Sequence, residues 1–128
     1  MQEKKNPLSP HLQIYKWQIS SLLSITHRIV GVINIVAISA ICFWSLFLLL
    51  GAENYVVLNN FFNSFFGKFI AVGLCWTFSF HILNELRHLF WDMGYGFDLK
   101  ISRITGFLAL VGSFVLTILF YLIGKNIF

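Results

Sequence analysis

Charge is scarce in this chain: Asp, Glu, Lys and Arg make up only 11% of its 128 residues. A soluble domain of this size carries charge on about a quarter of its positions, so a water-exposed globule is excluded. Proline is equally sparse. Both copies, Pro7 and Pro10, fall near the start, and nothing later carries that helix-breaking ring. The two cysteines, Cys42 and Cys75, lie far apart in apolar surroundings, with no CxxC spacing. That pattern excludes a disulfide scaffold or a cysteine zinc site and leaves small-residue packing. The first sixteen residues contain Glu3, both prolines and no apolar core, so neither a cleavable signal nor an Arg-rich transit peptide is expected. No internal repeat or low-complexity tract is visible.

What is present is apolar: 58% of residues are hydrophobic, 18% are aromatic, and the mean hydropathy is +0.79. Three runs reach the ~20 residues that cross a bilayer. They cover about 29–50, 65–86 and 104–123. The expected fold is therefore all-α, an integral membrane protein with three transmembrane helices. Residues 1–23 form an N-terminal surface segment with the start of the first helix, and 24–128 form the membrane anchor. No length remains for a soluble catalytic domain.

The net charge of +4 and pI of about 9.3 fit membrane topology better than nucleic-acid binding. Lys4, Lys5, Lys16, Arg28, Arg87, Lys100 and Arg103 fall on one side of the three runs, and Lys68 and Lys125 on the other. The positive-inside rule places the N-terminus on the cytoplasmic or matrix side and the C-terminus opposite. A bacterial inner membrane and a mitochondrial inner membrane both satisfy it.

Residues 1–16 are expected to lie extended over the inner membrane surface. A helix is expected to begin near Trp17 to Ser20 under a serine cap. Residues 51–64 should cross the outer face, their middle a short amphipathic turn in the interface. Gly94 and Gly96 should turn the inner loop, with Trp91 and Tyr95 at headgroup level. Gly31, Gly73, Gly106 and Gly112 would let helices approach closely.

Polar chemistry is concentrated in two stretches, WQISSLLSITHR (17–28) and HILNELRHLFWD (81–92). The topology brings both to the inner boundary. On the second, His81, Asn84, Glu85 and His88 share a helical face. His81 and His88 are roughly 10.5 Å apart along the axis, too far to share one metal ion. His81 has two readings: an interhelical hydrogen bond, or an axial ligand to haem iron, the second ligand then coming from another subunit. Arg87 and His88 at the helix end read either as cations favouring the macrodipole, with Arg87 snorkelling to water, or as a clamp for haem propionates.

On the first stretch, Trp17, Ser21, Ser24 and Arg28 form one helical stripe. It reads as an interfacial anchor or as a pocket for a quinone headgroup. A quinone needs a flat wall, donors for its carbonyl oxygens and positive charge for its reduced forms. Ser24 and Arg28 would donate and Trp17 would form the wall. His27, turned ~100° from Arg28, would reach a haem propionate or relay protons.

Taken together, NPLSPHLQIY, SSLLSITHRIVG and HILNELRHLFWDMG resemble the cytochrome b subunit of succinate dehydrogenase, the larger membrane anchor of respiratory complex II. The similarity extends over nearly the whole chain. It implies His81 as an axial ligand of haem b shared with a smaller anchor subunit. It implies Ser24, Arg28, Trp17 and Ser21 at a ubiquinone pocket, and His27, His88 and Arg28 near the haem. FAD and iron-sulfur clusters would reside only in the flavoprotein and iron-sulfur partner subunits, which also hold the succinate site. One departure is Glu85, where the family usually has glycine; on the His81 face it would either crowd a haem or a partner helix, or pair with a cation, Arg28 or one on the smaller anchor. A haem-free structural anchor and a fumarate reductase anchor working in reverse are the competing readings.

Overall fold

The computed structural model describes residues 17–127. Four helices follow in order: α1 (Ile19–Leu48), α2 (Ala52–Asn63), α3 (Phe65–Asp92) and α4 (Leu99–Ile127). Helices α1, α3 and α4 are each long and apolar enough to cross a membrane and lie antiparallel in sequence order. The extended segment expected over 1–16 lies outside the described residues.

All three long helices extend past the apolar runs. Helix α3 continues to Asp92 because its polar end keeps the helical period, and it stops only where Gly94 adopts a φ of 86°. Gly96, at φ 82°, completes the turn into α4.

Two local expectations are corrected. No serine caps α1: its N-cap is Gln18, in extended conformation and without a side-chain cap bond. Ser20 and Ser21 therefore fall inside the first turn, where they line a neighbouring cavity. The outer connection is a 12-residue helix, not a turn. It contains no proline or internal glycine, and at an apolar boundary its backbone polar groups are best paired within a helix. Leu58 buries inward, while Trp44 of α1 packs on Phe61 and Phe62 at ring distances of 6.5 and 4.9 Å. Ser64 then starts α3 by accepting a bond from the Gly67 amide at 3.1 Å. A Cβ at Gly67 would collide with the Phe61 carbonyl and the Phe62 backbone, so glycine is required at this elbow.

The bundle is apolar outside and partly polar within. Leu23, Val30 and Phe80 form the core with Trp76, whereas most large aliphatic and aromatic side chains face outward. Lipid offers no hydrophobic drive between helices, so small and polar groups make the contacts. Asn34, Thr77, Ser79, Asn84, Ser113 and Thr117 are all buried. Asn34 reaches across from α1 to donate to the Thr77 carbonyl of α3 at 3.4 Å. Gly106 faces Leu23 and Arg87, and Gly112 faces Leu83. Gly73, expected to mediate such an approach, meets no described atom within 4 Å and faces outward.

Candidate functional site

The first half of α1 and the second half of α3 meet at one end of the bundle, as the topology requires. There the His27 ring stacks on the His81 ring, centroids 4.4 Å apart and planes 15° from parallel. The His88 ring lies 5.4 Å from that of His27, tilted by 49°. Three of the chain's four histidines thus form one cluster.

Glu85 closes that cluster. Its carboxylate lies 3.2 Å from His27 Nε2 and 3.7 Å from His81 Nε2. Of the pairings the sequence left open, that with Arg28 is not the one formed: among the described residues Glu85 meets His27 of α1 and His81, one turn away on α3. The contact with His27 has ion-pair distance without hydrogen-bond alignment, so His27 Nε2 remains buried and unsatisfied. His81 Nδ1 is likewise buried without a partner. The donor atoms of His27, His81 and Glu85 all lie within 4.8 Å of one another, and His88 does not join them. Gly31 of α1 lies beside His81, where a Cβ would sit 3.4 Å from the ring. About a third of the His81 side chain remains exposed on the bundle surface.

Next to the histidines is a cavity of about 430 Å³ between α1 and α3. Ser20, Ser21 and Ser24 line it from α1; Asn84, Arg87, His88 and Trp91 line it from α3. The serine stripe is thus split. Ser21 and Ser24 line the cavity, whereas Arg28 of α1 and Trp17, which precedes the helix, are not among its lining residues. Asn84, Arg87 and Trp91 enter the site unannounced by the stripe argument; their shared period on α3 with His88 was the available signal.

Arg87 is the main correction. It neither snorkels to water nor reaches the histidine face; its residue is only 8% exposed. Its Nη2 donates to the carbonyl and hydroxyl of Ser102 at 2.8 and 2.9 Å, and its Nε donates to Thr105 Oγ1 at 3.2 Å. The guanidinium sits over the Trp91 ring, 4.1 Å from its centroid, and Trp91 donates in turn to the Gly96 carbonyl. Burial is tolerable because charge-assisted bonds and the ring face replace water. Arg87 thereby ties the end of α3 to the start of α4 and presents a cation at the cavity wall.

Comparison with known proteins decides the lineage. Residues 2–120 match the family model described as "Succinate dehydrogenase/Fumarate reductase transmembrane subunit". The chain belongs to this family. Among its relatives, the succinate dehydrogenase cytochrome b556 subunit of Rickettsia felis is 44% identical, over 91% of each chain. The cytochrome b556 subunit of Paracoccus denitrificans is 33% identical, over 88% of this chain and 87% of its own. The cytochrome b560 subunit of Reclinomonas americana is 35% identical, over 91% and 85%. Membership makes this a multi-pass membrane protein, a transmembrane subunit of a succinate dehydrogenase-type complex. The polar end of its bundle is the natural candidate for that complex's membrane chemistry.

Proposed function

We propose that this chain is the cytochrome b anchor of a succinate:quinone oxidoreductase, supplying one axial ligand to haem b and part of the ubiquinone-reduction site. The observation carrying the reading is the junction of the His27–His81 pair with the serine-lined cavity at one bundle end. The residues present fit the haem. His81 has an unsatisfied buried Nδ1 with the small Gly31 beside it, and about a third of its side chain is exposed. His81 would be the iron ligand, with the second supplied by a smaller anchor subunit; His27 and His88 would stand beside the propionates. Bound there, haem would supply a one-electron carrier next to the quinone.

The chain's own groups have separable tasks. Ser24 and Ser21 donate hydrogen bonds to a quinone carbonyl, and His88 and Asn84 offer further polar contacts from α3. Arg87, held rigid by Ser102 and Thr105, biases the cavity toward negative charge at little reorganisation cost. Trp17 and Arg28 complete the pocket once the iron-sulfur and smaller anchor subunits cover α1. Electrons arrive from succinate through the flavoprotein and iron-sulfur subunits, and both protons come from the cytoplasmic or matrix side. The N-terminus lies on that side and the C-terminus across the membrane.

Replacing His81 with Ala in the assembled complex should abolish the b-type bands of a reduced-minus-oxidised spectrum. Unchanged bands would remove His81 from the ligand set. Glu85 gives weight to the second reading, a structural anchor without haem, because its carboxylate stands 3.7 Å from His81 Nε2. The spectrum of the unaltered complex separates the two readings directly.

A further inference from the structure

Among the described residues, the Lys and Arg at the end of the bundle away from the histidines are Lys68, at the start of α3, and Lys125, at the end of α4. Both line one cavity of about 680 Å³ between those helices. Tyr121 adds a phenol, while Val72, Cys75 and Phe120 supply apolar wall. No carboxylate among the described residues lines the cavity, and the described ion pairs are both made by Glu85.

Snorkelling explains a single lysine at a membrane edge. It does not by itself explain two lysines lining one cavity with no carboxylate among its described lining residues, since like charges repel. The arrangement calls for an anion, and the apolar wall calls for a hydrocarbon chain attached to it. A cavity of this volume is within the range that holds small amphiphiles. Free phosphate would use the lysines and leave the wall idle.

We propose that this cavity binds an anionic phospholipid, its phosphate between Lys68 and Lys125 and an acyl chain along Val72, Cys75 and Phe120. The site is remote from the histidines and does not depend on haem or quinone binding. Charge complementarity favours the lipid over a neighbouring helix, whose apolar face would leave both lysines unpaired.

The test uses the intact complex extracted from membranes and reconstituted in nanodiscs of phosphatidylcholine with spin-labelled phosphatidylglycerol. Immobilised phosphatidylglycerol should exceed labelled phosphatidylcholine, and the preference should fall roughly five-fold for each lysine removed, as the energy of one cation near an anionic surface implies. Lys68→Arg with Lys125→Arg should retain it; Lys68→Gln with Lys125→Gln should lose it. Equal immobilisation of the two lipids, or an unaltered preference in the Gln pair, overturns the site. Should the Gln pair not assemble, a photocrosslinking residue at Val72 in the otherwise native complex decides. Capture of phospholipid supports the proposal, and capture of another subunit overturns it.

Discussion

Ser24 and Glu85 carry the sharpest consequences at the scale of single residues. Ser24 lines the cavity on α1 and is the donor we propose for a quinone carbonyl. Ser24→Ala should lower quinone reduction about three- to ten-fold, the worth of one lost hydrogen bond. Succinate oxidation with an artificial water-soluble acceptor should stay unchanged. Equal loss of both rates would assign Ser24 to assembly. Glu85 sits against His27 and His81 at 3.2 and 3.7 Å. Glu85→Gly removes the carboxylate facing His81 Nε2 and should raise the haem-to-protein ratio of the purified complex, measured as pyridine haemochromogen. An unchanged or lower ratio would show that the carboxylate helps to hold the histidine pair.

The elements are held by a few polar or small positions. Arg87 bonds α3 to Ser102 and Thr105 of α4 and covers Trp91. Arg87→Met keeps the length but loses charge-assisted bonds, each typically worth about 1.5–3 kcal/mol. The complex should denature several degrees earlier, read as loss of subunit association on heating in detergent. The α2–α3 elbow depends on Gly67, whose hydrogen faces the Phe61 carbonyl. Gly67→Ala should displace α2 and disturb the Trp44–Phe62 contact, and a blue-shifted native tryptophan spectrum that survives unaltered would refute this. Helix α2 itself was foreshadowed only as an amphipathic turn. Its length alone does not separate three helical turns from an interfacial loop.

For the whole molecule, the charge pattern requires that the histidine end and the Lys68–Lys125 end open on opposite sides of the membrane. Membrane-impermeant thiol labelling of single cysteines introduced at Tyr95 and at Asn126 should modify them from opposite sides. Labelling from the same side would dismantle both the topology and the functional reading. The lipid site predicts a further consequence: delipidation by detergent should destabilise the native complex more than the Lys68→Gln, Lys125→Gln form.

Three long apolar runs and their alternating charge were enough to determine an all-α membrane anchor and to bring residues 17–28 beside 81–92. Helical period and hydrophobicity are local, and antiparallel connection of successive spans follows from the bilayer. Rotation of each helix about its axis is not local. It depends on which small and polar groups mate across the interfaces, as Asn34 does with Thr77 and Arg87 with Ser102. That rotation aimed Arg87 at α4, stacked His27 on His81, and set Ser21 and Ser24 along the cavity while leaving Arg28 off it. A stripe of residues shows what one helix can offer; only the neighbouring helices determine which part of it is used.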